Sequence, residues 1–228
     1  MTPYLGRILE IRLEPDGLRS VRIGCEPRAV PTPGKYVLAD LPADEDALLA
    51  APLFTREAFP DGFLAAPVAG GLPRAWEIGS TLALRGPLGR GFDLPGVTRN
   101  LALVAAGETA ARLWPLVDRA GNAALFTDLS VRDLPTRVEI QPLAGLPEAL
   151  EWADFLAVDI PLERVGDLAG FLGRENGGPI PPGQVLVRTE MPCGGLAECG
   201  VCTLRIGRKS ILLCVEGPVC SLSHILKK

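Results

Sequence analysis

The sequence predicts a multi-domain chain of the α/β plus β class: an antiparallel β-barrel, an α/β domain with a parallel sheet, and a small C-terminal cysteine domain. Three observations predict this order. Short strand-like segments separated by glycine and proline fill the first part of the chain. Apolar strands then alternate with helical segments, and five of the six cysteines lie close to the end. We place the domains at 1–97, 98–183 and 184–228.

Composition excludes several classes of protein. Hydrophobic residues make up 47% and charged residues 22% of the 228 positions, which excludes a disordered chain. The formal net charge is −4 and there is no long basic run, so we expect no nucleic-acid partner. No apolar run approaches the roughly 20 residues of a membrane span, and the first residues lack a signal-peptide core. We therefore predict a cytoplasmic protein without membrane contact.

Strand-like segments at short intervals predict the first domain, a small antiparallel barrel or sandwich. They lie at 6–13, 21–23, 35–38 and 81–84. A glycine-rich heptapeptide, GPLGRGF at 86–92, follows the last of them. Taken alone, this heptapeptide is typical of a tight turn in a barrel.

Continuous apolar runs predict the second domain, since strands of a buried parallel sheet are apolar on both faces. The predicted strands are 101–104, 123–126, 138–140, 155–158 and 184–189. Apolar residues at helical spacing predict helices at 108–119 and 162–172. Pro115 lies within the first helix and favours a kink or an early end there.

The cysteines near the end follow the spacing C-x5-C-x2-C-x11-C, formed by Cys193, Cys199, Cys202 and Cys214. Three thiols come from one loop, and the fourth closes the second strand of a hairpin predicted from 203–206 and 211–213. This spacing suits a [2Fe–2S] cluster, whose two irons each need two sulfur ligands. Glycines at 194, 195 and 200 allow positive φ angles, so that backbone N–H groups can point at the sulfur atoms.

Other interpretations of the cysteines stay open at this point. Zinc usually takes paired C-x2-C knuckles, and only Cys199 and Cys202 form such a pair here. A redox pair or purely structural thiols are the remaining alternatives. We predict that Cys220 is a buried structural thiol, that Cys25 belongs to the core and that the single histidine, His224, lies on the surface. We predict no catalytic residues in this chain.

Several motifs together resemble one family. The cysteine loop followed by CVEGPV at 214–219 resembles the C-terminus of the electron-transfer subunit of class 1B dihydroorotate dehydrogenases. The heptapeptide at 86–92 resembles that family's GPLGxGF segment at the end of its flavin barrel. The segment PGKYV at 33–37 is similar to its PGQFV segment. The order of barrel, α/β layer and cysteine domain is also the family's, so the resemblance covers the whole chain in outline.

This family belongs to the ferredoxin-reductase-like group, and the resemblance implies a Rossmann-like α/β nucleotide domain. It also implies FAD between the barrel and the α/β layer and a [2Fe–2S] cluster in the last domain. Electrons would pass between the FMN of a catalytic flavoprotein subunit and FAD through the cluster, then to NAD. The chain would then be an oxidoreductase subunit in a hetero-oligomer of pyrimidine biosynthesis, and it would not be an enzyme complete by itself.

The sequence departs from the family at the flavin site and in the cysteine loop. The first cysteine gap has five residues where the family usually has four. Where the family's flavin signature has arginine, this chain has Ala51, and Thr55 offers the hydroxyl that the signature uses on the flavin. Gly70 and Gly71 correspond to a Gly-Thr pair that contacts FAD. By resemblance, Thr55, Gly70 and Gly71 are therefore the candidate FAD-binding residues.

The nicotinamide site departs further. Only Gly107 remains of the family's glycine-rich turn, and Glu108 places a negative charge where a helix N-terminus should receive phosphate. The family's Cys-Gly-Pro segment is replaced by VDIP at 158–161. We therefore expect an α/β layer that is kept for structure and does not bind NAD.

Two rival functions remain from the sequence. One is a standalone NAD(P)H-dependent iron–sulfur flavoprotein reductase, against which the turn at Gly107 argues. The other is a structural or regulatory iron–sulfur subunit that has lost FAD. The flavin content of the purified protein separates the last of these from the others.

Overall fold

The computed structural model describes residues 3–14, 17–42, 49–68, 70–131, 137–173 and 179–227. The strands in these ranges are β1 (Tyr4–Leu13), β2 (Arg19–Cys25), β3 (Tyr36–Asp40), β4 (Ala51–Phe59), β5 (Gly62–Ala65), β6 (Thr81–Leu88), β7 (Asn100–Ala105), β8 (Asn122–Thr127), β9 (Val138–Gln141), β10 (Phe155–Pro161), β11 (Gly183–Arg188), β12 (Thr203–Ile206), β13 (Lys209–Leu212) and β14 (Val219–Ser221). The α-helices are α1 (Trp114–Val117), α2 (Leu146–Ala149), α3 (Leu168–Phe171), α4 (Leu213–Glu216) and α5 (Leu222–Ile225). In these ranges no helix is long and apolar enough to cross a membrane.

Strands β1 to β6 form a closed antiparallel barrel in the order β1-β2-β5-β4-β3-β6. Its interior is filled by aliphatic and aromatic side chains that alternate with exposed ones along the strands, as in β6, where Leu82 and Leu84 are fully buried. The predicted barrel is confirmed. All four predicted strands are present: β1, β2 and β6 are longer than predicted, and β3 begins one residue later and ends two residues later. Strands β4 and β5 were not predicted from the sequence.

Strands β7 to β11 and β14 form a second sheet in the order β14-β11-β10-β7-β8-β9. Five neighbouring strands are parallel, and β14 pairs antiparallel to β11 at one edge. Most residues of β7 and β10 are buried, which explains their continuous apolar sequence. The predicted parallel sheet is confirmed. The segment 184–228 begins in β11 and returns to the same sheet through β14, with the hairpin of β12 and β13 between them.

The helices are shorter than the sequence predicts. The predicted helix at 108–119 is a 3₁₀ turn (Ala111–Leu113) that leads into α1, with Pro115 in the first turn of α1. Proline has no N–H group to donate within a helix, so it is accommodated only where a helix begins. The predicted helix at 162–172 is likewise a 3₁₀ turn (Leu162–Asp167) followed by α3. Cys214, predicted at the end of a strand, lies in α4.

The barrel and the large sheet meet where the three segments that resemble the family pack together. A Cβ atom on Gly34 would lie 2.6 Å from Cγ2 of Val219, and one on Gly89 would lie 2.5 Å from Cδ of Pro218. The Arg90 N–H group donates a hydrogen bond of 2.6 Å to the carbonyl of Gly217. Such close approach needs residues without side chains. We refer to this contact between 86–92 and 217–219 as the junction.

Replacing Gly89 tests how much the junction contributes to stability. Gly89 has a φ of +74° and no room for a Cβ. We expect Gly89→Ala to lower the free energy of unfolding by about 1–3 kcal/mol, measured by urea denaturation.

Gly170→Ala is the matched control, because Gly170 lies in α3 with no atom within 4 Å of its Cβ position. This change should leave the free energy of unfolding unchanged or raise it by less than about 1 kcal/mol. Equal losses in the two variants would show that the junction is not constrained as described.

Candidate functional site

The cysteine loop, residues 191–202, connects β11 to β12 and carries three of the four predicted ligands. Cys193 is half-buried, Cys199 is exposed and Cys202 is buried. The fourth, Cys214, is buried in α4. The backbone N–H group of Leu213 donates a hydrogen bond of 3.0 Å to the carbonyl of Cys202, which holds α4 beside the loop. The fold therefore places Cys214 next to the end of the cysteine loop.

The four thiols lie in two pairs. Cys193 lies beside Cys199, and Cys202 lies beside Cys214, close enough for the members of each pair to interact. Among the residues that the structure describes, no three His, Cys, Asp or Glu side chains are grouped closely enough to hold one metal ion. The loop thus presents two thiol pairs and does not form a single cage of four.

Backbone N–H groups of the loop point at the sulfur atoms. Those of Glu198 and Cys199, with a smaller contribution from Leu196, lower the pKa of the Cys193 thiol to about 6. Burial raises the pKa of Cys214 to about 11, while the N–H group of Ala197 opposes this rise. A chain can aim successive N–H groups inward only where φ changes sign. The predicted glycines 194, 195 and 200 all have positive φ, as Ala197 has too.

Two side chains of the barrel lie next to the cysteine loop. The guanidinium of Arg85 on β6 donates a hydrogen bond to the carbonyl of Gly194. Tyr36 on β3 is fully buried, and a Cβ atom on Gly195 would lie 3.5 Å from its hydroxyl oxygen. Burial raises the pKa of Tyr36, and the nearby thiols of Cys214 and Cys202 raise it further. Within the described ranges, the Tyr36 hydroxyl has no hydrogen-bond partner.

A cavity of about 630 Å³ lies between the barrel, the large sheet and the cysteine loop. Its volume falls within the usual range of ligand sites, about 300–1,000 Å³. Its lining includes Ala51, Phe54, Gly70, Gly71, Met191 and Val201.

The predicted FAD-binding residues differ in their relation to this cavity. Gly70 and Gly71 line it. Thr55 is buried in the barrel, where its hydroxyl donates a hydrogen bond of 2.7 Å to the carbonyl of Pro31, so that hydroxyl is already engaged. Its neighbour Phe54 lines the cavity, because adjacent residues of a strand point to opposite faces.

A network of buried ion pairs borders the same cavity. Asp159 on β10 is fully buried and accepts hydrogen bonds from Nε of Arg112 at 2.9 Å and from Nε of Arg188 at 2.5 Å. Glu108 accepts hydrogen bonds of 2.6 Å from both arginines. Burial disfavours the charge of Arg188, yet Asp159 and Glu108 outweigh this effect and raise its pKa. Two carboxylates are thus balanced by two guanidinium groups.

This network lies where a dinucleotide would bind in an open α/β sheet. Its residues lie near the carboxyl ends of β7, β10 and β11 or shortly after them. In the sheet, β8 and β9 lie on one side of β7, whereas β10 and β11 lie on the other side, so the direction of the strand order changes between β7 and β10. Ligands of such sheets bind at this switch point, beyond the carboxyl ends of the strands. The Nη2 atom of Arg188 packs so closely on Gly107 that a Cβ there would overlap it. The Arg188 side chain therefore occupies the space beside Gly107 in the turn after β7.

Sequence analysis missed Arg112, Arg188 and Tyr36. The i, i+4 spacing of Glu108 and Arg112 was the available signal for part of the network. The structure also locates the three other residues for which the sequence predicted a position. Cys220 is buried in β14 opposite Val185, Cys25 is half-buried at the end of β2, and His224 is exposed.

No protein-family model matches the chain, and no curated protein matches it. Solved structures do match. A structure of an NADH-dependent reduced ferredoxin-NADP oxidoreductase, described for flavin-based electron bifurcation, matches with a TM-score of 0.70 and 17% identity. The match covers 96% of this chain and 88% of that chain.

Two further structures match less completely. The ferredoxin reductase of carbazole 1,9a-dioxygenase, in its FAD apo form, matches with a TM-score of 0.55 and 17% identity over 79% of this chain and 64% of that chain. The flavohem-like FAD/NAD-binding domain of nitric oxide dioxygenase from Vibrio cholerae matches with a TM-score of 0.54 and 14% identity, over 82% of this chain and 100% of that domain. The chain therefore has the fold of ferredoxin-reductase-like flavoproteins, a barrel beside an α/β sheet.

Proposed function

We propose that this chain is an electron-transfer subunit that holds a [2Fe–2S] cluster on its four cysteines and FAD in the neighbouring cavity. The observation that supports this proposal most directly is the position of the cysteine loop beside the cavity. Met191 and Val201, which lie two residues before Cys193 and directly before Cys202, line the cavity themselves. When bound, the two groups would store and release electrons. The chain would then hold them side by side.

The thiol pairs favour a two-iron cluster over zinc. A structural zinc ion needs four ligands around one centre, whereas each iron of a [2Fe–2S] cluster takes two cysteines. Cys193 with Cys199 and Cys202 with Cys214 are such pairs. The N–H groups aimed at Cys193 and Cys214 would stabilise the negative charge of coordinated sulfur.

The lining of the cavity suits a flavin. Phe54, Ala66, Pro67 and Val68 give it an apolar wall, which would exclude water from the isoalloxazine ring. Two of the similar structures are themselves described in terms of FAD.

The ion-pair network supports electron transfer without a nicotinamide site in this chain. Arg188 and Glu108 occupy the turn after β7, and Asp159 leaves no unbalanced positive charge for a pyrophosphate group. Electrons would then enter and leave through the cluster, the flavin and a partner. We infer a catalytic flavoprotein of the dihydroorotate dehydrogenase type as that partner, since three motifs at the junction and in the loop resemble its electron-transfer subunit.

The surface beside the cluster loop suits such a partner. Leu196 is 60% exposed and Val215 is 54% exposed, although both flank the cysteines. Glu198 and Glu216 are exposed next to them. We propose that this face, apolar with an acidic rim, docks the catalytic subunit in an interface of ordinary size, about 1,200–2,000 Å².

Metal and sulfide analysis tests the cluster. We expect about two irons and about two acid-labile sulfides per chain after anaerobic purification. Replacing any one of the four cysteines with Ala should remove the visible iron–sulfur absorption, because one iron then loses half of its protein ligands. Cys220→Ser should retain it, since Cys220 is committed to β14. One zinc per chain without sulfide would overturn the proposal.

An anaerobic NADH titration separates the proposed function from that of a standalone reductase. We expect NADH to leave the flavin absorption of the FAD-loaded chain unchanged, because the Arg188 guanidinium and the Glu108 carboxylate fill the phosphate position. Dithionite, which needs no binding site, serves as the control and should bleach the flavin. Rapid bleaching at micromolar NADH would establish the reductase function instead.

The docking face is tested with Leu196→Arg. This change should weaken binding of a dihydroorotate dehydrogenase catalytic subunit by about tenfold or more, since it buries an unpaired charge. The cluster absorption should not change. Val97→Arg is the matched control. Val97 is 82% exposed and lies in the segment of the chain that connects β6 to β7. Equal dissociation constants for both variants and the wild type, measured by titration calorimetry, would contradict the proposed face.

A further inference from the structure

The Tyr36 hydroxyl is a buried donor without an acceptor. The residue is fully buried, and within the described part of the chain its hydroxyl contacts no hydrogen-bond partner. Leaving a hydroxyl unpaired in the interior costs about 1–3 kcal/mol, so buried hydroxyls generally have partners. The described protein groups supply none here, which points to an acceptor that is not part of the polypeptide.

The surroundings of Tyr36 show where this acceptor lies. The ring is held on one side by Phe54, with ring centroids 5.7 Å apart, and on the other by the junction, where a Cβ on Gly89 would lie 3.2 Å from Cε1. These contacts leave the hydroxyl directed at the cysteine loop, 3.5 Å from the Cβ position of Gly195. Gly195 therefore leaves space between the hydroxyl and the thiol pairs.

The acceptors available in that direction are sulfur atoms. Gly195, the loop residue that faces the hydroxyl, lies between Cys193 and Cys199 in the sequence. Arg85, the nearby cation of the barrel, is directed to the carbonyl of Gly194 and supplies no acceptor. The sulfides of an iron–sulfur cluster are acceptors of this kind, and hydrogen bonds to them stabilise the more negative, reduced cluster.

We propose that Tyr36 donates an O–H···S hydrogen bond from the flavin barrel to the [2Fe–2S] cluster and thereby raises its reduction potential. This inference rests on the proposed function, because it requires the cluster. Tyr36 is a positioning residue in this role: it transfers no electron or proton and acts through the charge of the sulfur. It also joins the wall of the cavity, through Phe54, to the loop that carries the cysteines.

Tyr36→Phe removes only the hydroxyl and keeps the ring between Phe54 and the junction. In a redox titration of the full chain with dithionite, followed by electron paramagnetic resonance, we expect the reduction potential to fall. The expected change is about tenfold in the equilibrium constant of the one-electron reduction, or about 59 mV. Iron and sulfide contents should equal those of the wild type.

Tyr4→Phe is the matched control, because the chain contains two tyrosines and Tyr4 lies half-buried on β1. Its potential should equal that of the wild type. In this variant Tyr36 is the only tyrosine left, so biosynthetic 3-fluorotyrosine labels position 36 alone. The fluorinated phenol is a stronger donor and should raise the potential, a measurement that does not depend on the stability of Tyr36→Phe.

The outcomes separate the two proposals. An intact cluster with an unchanged or higher potential in Tyr36→Phe overturns the role of Tyr36 and leaves the proposed function standing. An unchanged or lower potential with 3-fluorotyrosine overturns the role as well. A wild-type chain without acid-labile sulfide overturns the proposed function, and the role of Tyr36 with it.

Discussion

The close packing of residues 217–219 on the end of the barrel determines where the fourth cysteine lies. The Pro218 carbonyl accepts a hydrogen bond of 2.9 Å from the N–H group of Val187 in β11, and the carbonyl of Gly217 accepts one from Arg90. The segment is thereby fixed to the sheet and to the barrel at once. Cys214 lies in α4, directly before this segment, so the same contacts restrict where its thiol can lie.

Buried charge sets a second constraint, on the carboxyl edge of the sheet. Asp159 and Arg112 lie in the interior, where an ion without its partner is unfavourable by several kcal/mol. Each member of the network therefore depends on the others, and the group behaves as one unit. A crevice filled in this way cannot be opened by a single conservative change, because removing one charge leaves its partners uncompensated.

The sequence predicted what depends on local pattern. The apolar runs in β7 and β10 and the glycine and proline residues between the barrel strands were sufficient to predict the two layers. Strand β4 was not predicted because Pro52 and a pair of charged residues interrupt the alternation of apolar and polar residues along it. The ion pair between Arg188 and Asp159 and the approach of Tyr36 to the loop join segments far apart in sequence, and no local pattern records such contacts.

The strand pairing around the cysteine loop has a consequence for assembly. Strands β11 and β14 are neighbours in the sheet, with Val185 opposite Cys220. The segment between them is therefore a long loop whose two ends are already joined by the sheet. The entropy of closing that loop is lost when the sheet forms. Ordering of the cysteine loop then involves only residues between two strands that are already paired. For the same reason, the segment between these strands can change its length without altering the sheet that carries it.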